Sequence, residues 1–305
     1  MYEKSNKDNI SIKAPAKINL GLDVTGRREN GYHDVRMIMQ SIDLCDNVEI
    51  RKTESGLTMD LVTEGVDRAF LTADKDNLCY KAAEAMMKKY AIEGGIHLKL
   101  IKRIPVAAGM AGGSTDAAAV IIGINRLFSI GASEQELMDL GVTLGADIPF
   151  CIMKGTALSE GIGEILTPVA PLPECRILIG KPECGVSTKE VYEALDALMD
   201  EGKAHHPDID AILRGLQSGD LYETASCFGN ILQDVTVPKH PEIEKIKDIM
   251  KEHGAVNAMM SGSGPTVFGI FDDDNKLSEA LRALKESGLA KDVIETKVYE
   301  EKNDR

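Results

Sequence analysis

The sequence predicts an α+β protein of two domains, the second of them ferredoxin-like. Three observations carry this. A length of 305 residues suggests two domains rather than one. Strand-like alternation and helix-like periodicity are mixed along the whole chain. Beyond a proline-rich break at residues 168–173 the elements come in the order β–α–β–β–α–β with extra helices inserted, the order of a ferredoxin-like domain.

Residues 11–14 and 18–25 read as strands, because Ile18, Leu20, Leu22 and Val24 alternate strictly with Asn19, Gly21, Asp23 and Thr25. The break Ala14-Pro15-Ala16-Lys17 places Lys17 at a strand start, where a lysine is ordinarily a solvated edge residue. Residues 27–34 (RRENGYHD) follow as a turn with Asn30-Gly31 at its tip. Strands at 37–42, 48–52 and 57–62, a helix over 78–90 and a strand around Ile96, Leu98 and Leu100 come next.

That last strand leads into residues 105–128, PVAAGMAGGSTDAAAVIIGINRLF, the most distinctive stretch of the chain. Its first half is almost free of side chains, and Ser114 reads as the N-cap of a helix over 116–128. A small-residue loop feeding a helix start leaves backbone N–H groups unpaired in the field of the helix dipole, which suits phosphate. The loop is neither a Walker A motif nor GxGxxG. A tight helix–strand crossing also calls for small residues, so the stretch alone leaves both readings open.

Ser133 and Glu136 form a capping box for a helix over 134–144, which ends in Gly145-Ala146-Asp147-Ile148-Pro149 before a strand-like 150–153. Asp147 there is able simply to pin the turn through its side chain. Residues 155–164 read as loop. In the second half, a strand at 176–181 precedes a helix capped by Ser187 and running to about Met199. Helix lies between 209 and 232, and another over 242–253 stops at Gly254. Strands at 255–259 and 266–271 flank Ser261-Gly262-Ser263-Gly264-Pro265. A helix over 276–287 and a strand over 293–299 complete the pattern.

Composition sets the outer limits. A net charge of −14 argues against nucleic acid as a partner, since binding to its phosphates needs a basic field. The longest apolar run, residues 117–122, is far too short to cross a bilayer, and the charged first thirty residues carry no secretory signal. Six scattered cysteines without a CxxC indicate neither a zinc site nor a disulfide framework, and suit reduced thiols in a cytoplasmic protein.

Five segments in order resemble the galactokinase–homoserine kinase–mevalonate kinase–phosphomevalonate kinase (GHMP) superfamily. They are APAKINL at 14–20, GYHD at 31–34, the glycine loop with Ser114-Thr115-Asp116, GADIPF at 145–150, and MSGSGPTVF at 260–268. The match runs nearly end to end and is most similar to the branch that acts on a cytidine diphosphate-linked methylerythritol. It implies the GHMP kinase two-domain fold. A ribosomal-protein-S5-domain-2-like ATP-binding domain would occupy 1–165 and a ferredoxin-like domain 166–305. It also implies ATP-dependent phosphorylation of the acceptor's 2-hydroxyl, with Mg²⁺, in non-mevalonate isoprenoid precursor biosynthesis.

Residue by residue, the resemblance makes Lys17 and Asp147 catalytic. It gives the ATP loop to Pro105, Val106, Ala107, Ala108, Gly109, Met110, Ala111, Gly112, Gly113, Ser114 and Thr115. Tyr32 and His33 would receive the cytosine, Asn19 would touch substrate, and Tyr192 would close the other side of the base. One departure stands out: some members have Ser-Asn where this chain has Thr115-Asp116. The extra charge beside the expected phosphate leaves the metal ligands unassigned. A homoserine- or mevalonate-type kinase and a non-catalytic ligand sensor are the rival readings, and retention of both Lys17 and Asp147 argues against the sensor.

Overall fold

The computed structural model describes residues 8–68 and 71–300. Two strands are far longer than the alternation suggests: β1 (Asn9–Arg27) and β2 (His33–Thr53). β1 runs straight through the expected break at Pro15. A proline removes only a donor, and a strand carries it where the ladder does not need that donor. At Lys17 the backbone N–H leaves the strand pattern for the carbonyl of Met110, at 3.2 Å.

Compactness divides the chain into two units built from interleaved segments. The first comprises the start of β1 up to Ala16, Leu44–Val106 and Ala111–Lys154; the second comprises Lys17–Asp43, Ala107–Met110 and everything from Gly155 onward. The long strands are the reason, since each supplies one end to each unit.

In the first unit, β3 (Gly56–Thr63) pairs in parallel with β4 (Gly95–Lys102), and β4 pairs antiparallel with the end of β2, Asn47 opposite Ile101. Helix α1 (Leu78–Lys89) is capped by Asn77, whose side chain accepts from the Cys79 N–H at 2.8 Å. Helix α2 (Gly112–Leu127) has an unbroken buried stretch from Thr115 to Ile124. Gly123 permits its approach to β2, because a Cβ there would lie 2.4 Å from Ile50 Cδ1. Helix α3 (Glu134–Val142) has the expected capping box, with both reciprocal bonds between Ser133 and Glu136. Residues 150–153 are helical, not strand: they belong to α4 (Ile148–Met153), with Pro149 in its first turn. A short apolar run with its side chains buried gives no period to read, and proline is tolerated at a helix start.

In the second unit, the part from Gly155 onward opens with a hairpin where the sequence suggested loop. β5 (Thr156–Glu160) pairs with β6 (Ile165–Pro168) and with β2 at 37–40. Its glycines belong to the turn, with Gly161 and Gly163 at φ of 71° and 116°. Next come β7 (Arg176–Lys181) and α5 (Thr188–Asp200), the latter capped by Ser187. Helices α6 (Ile209–Ser218) and α7 (Leu221–Ser226) lead to the short β8 (Gly229–Asn230), which pairs in parallel with β1 at Gly21 and Leu22. Helices α8 (Gln233–Lys239) and α9 (Glu242–Glu252) precede β9 (Asn257–Met260), β10 (Val267–Phe271), α10 (Asp274–Ser287) and β11 (Asp292–Lys297).

The sheet order β11-β7-β10-β9, antiparallel throughout, is the ferredoxin-like arrangement expected from the element order. All of β10 is buried, and Gly180 on β7 sits beneath α9 and α10, its added Cβ meeting Leu284, Ile246 and Met250 within 3.1 Å. This packing makes the sheet a rigid base for the segment 260–265. Among the described residues no helix is long and apolar enough to cross a membrane.

Candidate active site

The glycine loop is shaped by its backbone. Ala107, Gly109 and Ala111 all have positive φ, at 50°, 66° and 55°. Alternate left-handed residues turn successive N–H groups inward and form a concavity for an anion. Two of the three are alanines, which adopt this conformation only at a cost, so the surroundings hold it in place. Ser114 is not the cap that its position suggests. The N-cap is Ala111, in the left-handed conformation and with no side-chain cap bond, and α2 starts at Gly112. Ser114 therefore stands inside the first turn, and its backbone N–H joins the free donors at the helix start.

Within the second unit, Gly109 is the meeting point of three segments. Its carbonyl accepts from Lys17 Nζ at 3.2 Å and from Ser261 Oγ at 3.1 Å. Lys17 Nζ also donates to Asn19 Oδ1 at 2.6 Å, and the Asn19 N–H donates to Ser261 Oγ at 3.3 Å. Only glycine fits at 109, since a Cβ would lie 2.4 Å from the Ser261 carbonyl oxygen. The 260–262 segment is held from behind by Asn230, whose Nδ2 donates to the carbonyls of Met260 and Gly262 at 2.9 and 2.8 Å. Strand alternation explains Lys17 and Asn19 together: two residues apart on β1, they share one face.

Lys17 is buried, 5% exposed, and forms no ion pair among the described residues. An ammonium has three donors, and two are used. A buried cation without a counter-ion is costly, so this arrangement suits an anionic ligand.

In the first unit, Asp147 is the N-cap of α4, yet its carboxylate caps no N–H. The pinning role that the turn suggested is therefore not observed. Asp116 is corrected too: it is turned into the core rather than toward the loop. Its Oδ2 accepts from Lys102 Nζ at 2.8 Å, and the same lysine is bonded to Asp46. Asp46 also accepts from the Ile104 N–H at 2.8 Å. One lysine faces two carboxylates, and burial, ahead of the opposing pull of Lys102, holds the Asp116 carboxyl well above the usual range. Neighbouring Thr115 Oγ1 is buried without a hydrogen-bond partner among the described residues.

Also in the second unit, Tyr32 is exposed at the tip and its N–H donates to Asn30 Oδ1. His33 is largely buried, its Nε2 2.7 Å from Asp196 Oδ1, and its ring lies 4.8 Å from that of Tyr192. Asp196 also meets Arg27 at 3.1 Å. The ring contact here is His33 with Tyr192, with Tyr32 standing free of it. Asp196 escaped the sequence reading. It lies four residues after Tyr192 on α5, and that spacing, which puts both on one helix face, was the available signal.

Residues 77–155 match the GHMP kinases N terminal domain and residues 208–289 the GHMP kinases C terminal domain. A protein of Lachnospira eligens named 4-diphosphocytidyl-2-C-methyl-D-erythritol kinase is 50% identical over 292 residues, covering 96% of this chain and 99% of the relative. One of the same name from Lachnoclostridium phytofermentans is 49% identical, covering 97% and 99%. The crystal structure of a 4-(cytidine 5'-diphospho)-2C-methyl-D-erythritol kinase superposes with a TM-score of 0.78 at 30% identity, covering 95% of this chain and all of that one. The chain therefore belongs to the GHMP kinases, in the family of the 4-diphosphocytidyl-2-C-methyl-D-erythritol kinases.

Proposed function

We propose that the protein transfers the γ-phosphoryl group of ATP to the 2-hydroxyl of 4-diphosphocytidyl-2-C-methyl-D-erythritol, a step of non-mevalonate isoprenoid precursor biosynthesis. The observation that carries the chemistry is Lys17, buried, without a carboxylate partner among the described residues and tied to Gly109 of the positive-φ loop. Phosphoryl transfer asks the protein mainly for positioning and charge neutralisation. The free backbone N–H groups within residues 105–115 would hold the phosphates, and Lys17 would balance charge on the transferring group. Mg²⁺ held with the phosphates would supply further charge neutralisation there.

Asp147 would take the proton from the acceptor hydroxyl as general base, since its carboxylate is not committed to capping α4. Asn19, fixed by Lys17 and Ser261, would contact the acceptor. Tyr32, His33 and Tyr192 would hold the cytosine. The nucleotide-binding part is assigned to 1–165 and the ferredoxin-like part to 166–305, a division supported by the family matches, each of which falls inside one part.

Coupled ADP release should be screened with the cytidylyl acceptor, homoserine and mevalonate. Turnover with the cytidylyl acceptor alone is expected. Preference for either of the others would reassign the substrate, and release with none would favour a non-catalytic sensor.

A further inference from the structure

We propose that Cys184, His240 and Glu242 form a binding site for a thiophilic divalent cation of the zinc type, outside the residues assigned to phosphoryl transfer. Each side chain offers one ligand atom, and the three atoms lie within 4.8 Å of one another. His240 Nδ1 and Glu242 Oε1 are 3.4 Å apart. Zinc bonds of about 2.0–2.3 Å at a tetrahedral angle put neighbouring ligand atoms roughly 3.5 Å apart. The His–Glu edge is thus already at that spacing, and the sulfur has little more than about 1 Å to close.

The donor set selects the cation. A thiolate and an imidazole beside one carboxylate are poor ligands for magnesium or calcium, which want oxygen. They suit zinc and its spectroscopic substitute cobalt. Three protein ligands leave one position for water.

The framework is firm. Cys184 lies just beyond the end of β7. His240 closes α8, its N–H shared between the carbonyls of Thr236 and Val237 at 3.0 and 3.1 Å. Pro241 fixes the backbone between it and Glu242, the first residue of α9. All three ligands are half-buried, so a cation would be partly dehydrated without deep burial of charge.

On binding, the Cys184 S–H bond breaks, the proton leaves to solvent and a sulfur–metal bond forms in its place, with no change of oxidation state. The positive charge of Lys181 acts on the thiol and would moderate the affinity for a cation. Occupied, the site would tie the chain leaving β7 to the turn between α8 and α9.

The test is a cobalt(II) titration of the full chain, reduced and stripped with a chelator. A near-ultraviolet sulfur-to-cobalt charge-transfer band should saturate at one equivalent, be displaced by zinc and resist magnesium. Cys184→Ser should lose the band. Glu242→Gln should keep it with affinity lowered about tenfold or more, and zinc should raise the melting temperature of the wild type but not of Cys184→Ser. Metal-free melting of each variant checks folding. Absence of the band with cobalt in excess, or an unchanged band in Cys184→Ser, would overturn the site.

Discussion

Lys102 Nζ donates to the Asp116 carboxylate at 2.8 Å, with both side chains almost wholly removed from water. Because the same lysine is also bonded to Asp46, its single charge balances only one of two carboxylates. The charge that the sequence seemed to place beside the phosphates is instead folded into the core beneath the loop, where Gly112 passes so close that a Cβ would lie 3.2 Å from Lys102 Nζ.

A pH dependence follows from that pairing. Asp116 has a folded pKa raised above its unfolded value, so the folded chain holds the proton more tightly. Its contribution to stability is complete below the ordinary carboxylate range and is lost as pH rises from there toward the folded value. Asp116→Asn cannot ionise and should gain stability relative to wild type as pH rises, by about 1.4 kcal/mol for each unit of raised pKa. Thermal melts of both proteins from pH 5 to pH 8 check this. A gap between them that does not change with pH would contradict it.

Gly113 separates ligand binding from folding. Its added Cβ would make only an ordinary contact, 3.5 Å from Leu78 Cδ1. An aspartate there sits in the first turn of α2, which favours it by roughly 0.3–1 kcal/mol. Two like charges ~4 Å apart repel by about 4 kcal/mol near a protein surface. Gly113→Asp should therefore melt no lower than wild type while losing ATP affinity about tenfold or more. Calorimetry showing unchanged ATP affinity would mean the phosphates bind elsewhere.

Base specificity should depend on Asp196. In the neutral ring, with Nε2–H donating to Asp196, Nδ1 of His33 would be an acceptor, which suits the amino group of cytosine and not the carbonyl of uracil. Asp196→Asn can offer an amide donor to Nε2 and turn Nδ1 into the N–H. A lost or reversed hydrogen bond of this kind costs about 1–3 kcal/mol. Cytosine-over-uracil preference, as the ratio of kcat/KM values, should fall by about tenfold or more. An unchanged ratio would show that the base is read by other groups.

Much of this was legible in the sequence because it is local. Alternation at 18–25 found the strand that carries Lys17 and Asn19, and Ser133 with Glu136 marked the start of α3. The ferredoxin-like order emerged from element sequence alone. What escaped reading is tertiary. Asp46, Lys102 and Asp116 are far apart in the chain, and no periodicity says that a polar first-turn residue will face inward. Residues 150–153 have no period to read, and the hairpin over 156–168 was hidden by the glycines of its own turn. Ser114 fits the pattern of a cap, but the left-handed Ala111 ended the loop earlier.

Asp147→Asn removes the proposed base while keeping the size of the side chain. Because the carboxylate makes no cap bond, folding and ATP affinity should be retained. Turnover should drop by roughly 10²-fold or more, the usual share of a general base. Near-normal turnover would remove Asp147 from the mechanism.

The central claim, transfer to the 2-hydroxyl of the methylerythritol unit, is tested most directly by phosphorus NMR of the product. Carbon 2 carries the methyl group and no hydrogen, so an ester on its oxygen has no proton three bonds from phosphorus. One new phosphate monoester resonance with no splitting from a carbinol proton is expected, growing in step with ADP. A monoester split by such protons, or ADP without any new ester, would contradict it.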